Sequence, residues 1–418
     1  MSTLKVNKLR DTAGSADAIV LDPNGGAVLA GVTTVTSVKV GAAVTISESG
    51  IEATGVGITV ANINGGQIGG RRNLVINGAM NVAQRGTSST TSGMQTIDRI
   101  SLSNSGTDEA PTQSQGDVSS GTTPYTEGFR KTWKITNGNQ TGGAGATDYI
   151  HTVYSIEDQD LAQSGWNYTS SSSFVTFSYW VKSSVAQNFY LYLQSDNSSQ
   201  YRYTMETGSL TANTWKKVTF TIPGNSNIVL NNDTGIGMYI VFSIYDGTDR
   251  TGTRPLNAWA VLDNTTRTPD QATTWYLTND STFEMTGVQL EVGSQATPFE
   301  HRSFGEELSL CQRYFYSTGD GYNGHNLANG IKGSATSARY TIQYPVPMRA
   351  APTFTVNALK VDSETSGSYQ DITGIEFTGG TTLSSRLALT CDSSAGQGSP
   401  CTLLTSSTSS YLRGSAEL

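Results

Sequence analysis

Between residues 174 and 244 the chain repeats one pattern: apolar and polar residues alternate for several positions, then glycine, asparagine or proline interrupts them. Val175, Phe177, Tyr179 and Val181 alternate with Thr176, Ser178, Trp180 and Lys182. Phe189, Leu191 and Leu193 alternate with Tyr190 and Tyr192, and Val218, Phe220 and Ile222 with Lys217, Thr219 and Thr221. Met238, Ile240, Phe242 and Ile244 form a further comb, and Val288, Leu290 and Val292 another. A period of two belongs to strands with one buried face. Several such strands between turn-rich loops predict a two-sheet antiparallel sandwich of jelly-roll type, making the chain mainly β. Only 14% of the 418 residues are charged, yet 36% are apolar and six are tryptophan, so this is not a disordered composition.

The pattern divides the chain into four parts. Residues 71–302 hold all six tryptophans and carry the sandwich. Residues 28–70 alternate too, through Val38, Val40, Val44, Ile46, Val56, Ile58 and Val60, but their side chains are small and include no aromatic. A lone hairpin with so thin an apolar face is marginal in water. Either this stretch adds strands to the next domain, or three copies wrap one axis and bury those seven residues in a homotrimeric β shaft; the trimer is the expectation. Residues 1–27 hold a strong turn at Asp22-Pro23-Asn24-Gly25-Gly26 and make no core of their own, which suits a loose terminus or a segment ordered by docking on a partner.

Residues 303–418 open with a capping box, Ser303 with Glu306 three positions on, followed by Leu308, Cys311 and Phe315 at helical spacing. Strand patterns then return at 339–344, 353–361, 372–377, 387–390 and 402–404, predicting a smaller β domain behind one short helix. Cys311, Cys391 and Cys401 fit no zinc or redox spacing. Cys391 and Cys401 flank a loop, so they are either a disulfide across a hairpin or buried thiols.

Net charge of −8 argues against binding to nucleic-acid phosphates. The longest apolar stretch, 238–242, is far too short to span a bilayer, and no secretory leader pattern stands at the start. The expected place of synthesis is therefore a cytoplasm.

Three blocks give a resemblance: MSTLKVN at 1–7, RRNLVINGAMNVAQRG at 71–86, and TGVQLEVGS with PFEHRSFGEELSLCQRYF within 286–315. Together they resemble tail-fibre proteins of bacteriophages, those of marine cyanobacterial phages above all. The resemblance implies a homotrimer in the virion tail, assembled in the host cytoplasm. Its N-terminus, here residues 1–27, would dock on a tail or adaptor protein, and its distal β domains would bind a host cell-surface polysaccharide. The run NTWKKVTFTIP at 213–223 is similar to carbohydrate-binding jelly rolls, an analogy at the level of fold.

Sugar binding uses aromatic platforms, because the C–H face of a pyranose stacks on an indole or phenol ring. Trp166 and Tyr168, in the loop SGWNYT, are the leading candidates; Trp180, Tyr190 and Tyr192 come next as liners of a sheet face, then Tyr322 and Tyr411. A depolymerase would need two carboxylates at a defined separation. Glu157, Asp158 and Asp160, Asp246 and Asp249, and Glu306 and Glu307 are clustered acids, but two groups sit in turn-like sequence and the third at a helix start. No β-helix repeat, the usual tailspike scaffold, is visible. His151, His301 and His325 lack metal spacing, and the loop 246–252 lacks the terminal glutamate of a calcium loop. The expected function is glycan binding without catalysis or cofactor. A polysaccharide depolymerase, and a structural fibre or adaptor that binds no receptor, are the alternatives.

Overall fold

In the computed structural model of the chain, residues 71–363, 369–392 and 396–418 are described, with the backbone pairing of six short strands within residues 1–70. Contacts divide the chain into two units, Met1–Ala61 and Asn62–Leu418.

In the first unit β1 (Lys8–Arg10), β2 (Asp17–Leu21) and β3 (Ala27–Leu29) form one antiparallel sheet. A second meander joins β4 (Ser37–Val40), β5 (Val44–Ser47) and β6 (Gly50–Ala53). Its register pairs Val38 with Ile46 and Val40 with Val44, so these predicted strand positions are paired backbone. The side chains of Val38, Val40, Val44 and Ile46, all of Val56, Ile58 and Val60, and with them the trimer interface, lie outside the described residues.

The sandwich uses twelve strands: β7 (Ser88–Ser89), β8 (Ile100–Ser105), β9 (Thr112–Asp117), β10 (Lys131–Thr136), β11 (Tyr149–Glu157), β12 (Phe174–Ser183), β13 (Tyr190–Ser195), β14 (Tyr201–Glu206), β15 (Lys216–Pro223), β16 (Ile236–Asp246), β17 (Trp259–Val261) and β18 (Thr282–Val292). One sheet has the order β15-β12-β18-β10-β9-β7 and the other β17-β14-β13-β16-β11-β8, and the pairings are antiparallel. The combs behave as their period requires. Val175, Phe177, Tyr179 and Val181 of one sheet meet Leu191, Leu193, Ile240 and Phe242 of the other in a single core. The rings of Tyr179 and Phe242 touch edge to face at 5.0 Å between centroids.

The two long blocks behind the family resemblance clamp each other. Asn73 donates its amide to Val288 O at 3.0 Å and accepts from Leu290 N at 3.1 Å. Glu300 accepts from the backbone N–H groups of Arg72 and Asn73, and Arg302 reaches Asn73 O. At Gly78 a Cβ would lie 2.1 Å from Val288 O, so the two backbones approach too closely for any side chain. These blocks thus staple the entry of the sandwich to its last strand.

The capping box forms as expected: Ser303 and Glu306 exchange both bonds ahead of α4 (Phe304–Gln312). Three shorter helices, α1 (Thr123–Thr126), α2 (Asp158–Ala162) and α3 (Thr274–Leu277), lie in sandwich loops. Phe315 does not extend α4; it begins β19 (Phe315–Thr318). After it come β20 (Asn323–Ser334), β21 (Ser337–Gln343), β22 (Thr353–Asn357), β23 (Leu359–Asp362), β24 (Gln370–Gly380), β25 (Ser384–Cys391), β26 (Pro400–Ser406) and β27 (Tyr411–Ser415). Six of them close a barrel in the order β20-β21-β25-β24-β23-β26, while β19, β27 and β22 make a small sheet. The run 353–361 is two strands, because Ala358 takes φ of 47° and breaks it.

All three cysteines are free and buried. β25 and β26 are not neighbours in the barrel, so Cys391 and Cys401 do not face each other across a hairpin, and the thiol alternative holds. Inside the barrel the fully buried Lys332 donates to Cys391 Sγ at 2.9 Å and to Gln370 Oε1 at 2.8 Å. Ion pairs tie the C-terminal segment and the end of α4 to the sandwich region: Glu417 takes both Arg85 and Arg99, and Arg313 donates twice to Glu157. Among the described residues no helix is long and apolar enough to cross a membrane.

Candidate functional site

The expected platform in the loop SGWNYT is overturned by burial. Trp166 is only 3% exposed and belongs to the sandwich core, with its indole N–H donating to Ser173 O at 3.4 Å. Gly165, at φ of 86°, turns the loop back so that the indole enters the core. Tyr168 packs half-buried beside it, rings 6.4 Å apart. Trp180 is likewise covered: it sits with Ala79, Val118 and Phe129 and donates to Glu127 Oε2 at 3.0 Å. It also belongs to the opposite sheet from Tyr190 and Tyr192, so these three line no common face. Tyr322 is 64% exposed, near His325, and Tyr411 is half-buried under the Arg413 guanidinium at 3.9 Å. Tyr322 and Tyr411 lie in the β19–β27 region, apart from the sandwich groove described next.

Of the predicted residues, Tyr192 joins a larger assembly. In an antiparallel sheet cross-strand partners share a face, and so do residues two apart. The pairing of Gln194 with both Tyr239 and Arg202, of Val241 with Tyr192 and Val153, and of His151 with Ser103 and Ser243 therefore brings these residues to the outer face of β14-β13-β16-β11-β8. Inner-face residues of the same strands, such as Ile150, Leu193 and Ile240, supply the core. On the outer face lies a groove of about 310 Å³. Val153 and Val241 form part of its lining, Tyr149 and Tyr239 contribute rings, and Gln194, Gln200 and Asp196 contribute amides and a carboxylate, while the predicted Tyr192 lies beneath, only 1% exposed and under Arg202. The loops after β16 and β17 add Arg250, Leu262, Asn264 and Arg267.

The lining is held in place by its own bonds. His151 Nε2 donates to Asp246 Oδ1 at 2.9 Å, and Ser243 donates to the other oxygen. Arg202 lies over the Tyr192 ring at 4.2 Å and donates to Gln194 Oε1 at 2.7 Å and Asp263 O at 3.0 Å. Arg250 lies over Tyr149 at 4.3 Å. Burial pushes the Tyr239 hydroxyl up from its ordinary range, with the Asp196 carboxylate adding to the effect. The Tyr239 hydroxyl therefore stays protonated at neutral pH, able to donate and to accept.

A larger hollow of about 790 Å³ lies where α4 meets the barrel, lined by Arg71, Glu300, Arg302, Glu306, Leu310 and Pro347 among others. No aromatic ring lines it, and its Arg302 and Glu306 are engaged with Glu300, Glu307 and Ser303.

The clustered acids other than Asp249 have structural partners. Glu157 accepts from Arg313 and from the Tyr314 hydroxyl at 2.6 Å, Asp158 accepts the N–H groups of Asn231 and Asn232, and Asp160 pairs with Arg71. Glu306 is the N-terminal cap partner and Glu307 accepts from Asn77 N. Among the described residues no group of three or more His, Cys, Asp or Glu is placed to hold a metal.

No protein-family model and no curated protein sequence matches the chain. Several solved structures resemble part of it. The enzymatically active domain of tailspike protein 4 of bacteriophage CBA120 aligns at 8% identity and TM-score 0.28, over 53% of this chain and 21% of that one. The chain thus spans about a fifth of the tailspike. The CBM22-1 xylan-binding domain of Paenibacillus barcinonensis Xyn10C aligns at 9% identity and TM-score 0.25, over 56% of this chain and 100% of that one. A family 11 carbohydrate-binding module of Clostridium thermocellum, in complex with a mixed-linked tetrasaccharide, aligns at 13% and 0.23, over 51% and 98%. At scores this low these likenesses carry no functional assignment.

Proposed function

We propose that this chain is a bacteriophage fibre protein that binds a host cell-surface glycan through the outer face of its second sandwich sheet. The groove carries this reading: a strip of sheet that gathers the ring of Tyr239, two glutamines and the guanidinium groups of Arg250 and Arg267. Ring faces, amides and guanidinium groups are what a pyranose needs, since its C–H face stacks and its hydroxyls both donate and accept. The sequence resemblance to tail fibres supplies the setting, with residues 1–27 docking on a tail or adaptor protein and residues 28–70 forming a homotrimeric shaft in the virion. Three copies of a shallow site then add through effective concentration. Binding without hydrolysis is favoured because Glu157, Asp158, Asp160, Asp246, Glu306 and Glu307 are held in caps, ion pairs or hydrogen bonds. A second surface, around the exposed Tyr322, would serve the same purpose if recognition lies in the last domain.

The test is glycan-array binding by the purified chain, beside Tyr239→Ala. Ring stacking of about 0.5–1.5 kcal/mol predicts a loss of several-fold per site at an unchanged melting temperature. Full binding by the variant would move the site off this sheet. Sedimentation of the chain and of a Val40→Asp, Ile46→Asp variant tests the shaft: trimer for the first, monomer for the second.

A further inference from the structure

The groove gathers three arginines in one place; they share with Arg72, Arg130 and Arg349 the habit of donating to carbonyls or hydroxyls. Elsewhere in the same unit Arg71, Arg85, Arg99, Arg302, Arg313 and Arg413 each meet a carboxylate within 3.4 Å. Arg202, Arg250 and Arg267 meet none within the same reach among the described residues, and donate instead to loop carbonyls and amides. The two carboxylates that line or underlie the groove are already bound: Asp196 accepts from Gln200 at 2.9 Å, and Asp246 from His151 and Ser243. Two of the three ring faces carry a guanidinium, Arg202 on Tyr192 and Arg250 on Tyr149, so a neutral sugar would find them covered. Three cations thus converge in one groove, beside the two carboxylates Asp196 and Asp246, in a chain whose net charge is −8. Burial above all, with smaller contributions from the charges of Arg267 and Arg254, pulls the pKa of Arg202 down to about 10 against the opposing effects of Tyr192 and Asp246.

From this arrangement we infer that the groove takes an acidic glycan, one bearing carboxylate, sulfate or phosphate groups, which Arg250 and Arg267 bind while Arg202 holds the Tyr192 shelf. The inference rests on the glycan-binding reading above and narrows its ligand. Guanidinium groups form paired, charge-assisted hydrogen bonds with two oxygens of a carboxylate, sulfate or phosphate, which a hydroxyl cannot offer.

The experiment uses a panel of matched oligosaccharide pairs, each member differing only in a free against an esterified carboxylate, or a sulfated against a free hydroxyl. Binding of the full chain and of an Arg250→Gln, Arg267→Gln variant is titrated at low and at physiological salt, with melting temperature as the control for folding. The expected result is a preference of about tenfold or more for the acidic member of at least one pair, weakened by salt and lost in the variant. Equal binding of both members overturns the acidic ligand and leaves the glycan reading standing. Persistence of the preference in the folded variant overturns the role of these arginines. Binding to no member of any pair overturns the glycan reading itself, and this inference with it.

Discussion

Replacing Trp166 with alanine separates a core role from a platform role, and the structure fixes the size of the effect. The indole is 3% exposed, packs in the sandwich core and has its N–H bonded to Ser173 O. Truncating a buried tryptophan to alanine costs about 3–5 kcal/mol, from lost transfer energy and the cavity left behind. For a domain of this size each kcal/mol lowers Tm by about 2–4 °C, so the variant melts about 6–20 °C lower. Thermal denaturation followed by circular dichroism reads this directly. Trp166 does not line the groove, so the variant, measured well below its new Tm, retains its glycan binding. A loss under about 1 kcal/mol, typical of surface positions, would refute the core assignment and restore the loop as a platform.

Two further outcomes follow from buried acids. Asp98 is fully buried, and desolvation pushes its carboxyl up to about 6 despite the opposing pull of Arg85. Because this folded-state value lies above the unfolded 3.8, Asp98 favours folding below about pH 4 and that contribution is lost as pH rises through 6. The Tm advantage of Asp98→Asn over the parent is therefore larger at pH 7 than at pH 4, and a constant difference would contradict the shift. Glu157→Ala strands the Arg313 guanidinium and the Tyr314 hydroxyl, and urea denaturation should show a loss of about 3–5 kcal/mol; a change under 1 kcal/mol would mean the pair is solvated.

The strands that were legible in the sequence are those with one buried face, because burial forces the period of two: β12, β13, β15, β16 and β18 all appear where the combs stand. β20 was missed, since its sequence NGHNLANGIKGS carries three glycines and no comb. Trp166 was misread because a tryptophan between Gly and Asn has no periodic partner, and only the backbone turn at Gly165 sends it inward. The capping box of α4 is local chemistry and was readable from two residues. The groove was not, because it depends on cross-strand register: Tyr149, His151, Tyr192, Arg202 and Tyr239 come from four strands, and Arg250 and Arg267 from loops. Only Tyr192 was among the predicted ligands.

The central claim is that recognition sits on the outer face of β14-β13-β16-β11-β8. The most direct measurement is a crystal structure of the full chain with an oligosaccharide selected from the array. The account predicts sugar density in the groove, with a ring against Tyr239 and an acidic group within hydrogen-bond distance of Arg250 or Arg267. Sugar seated instead on the barrel beside Tyr322, with the groove unchanged, would contradict it.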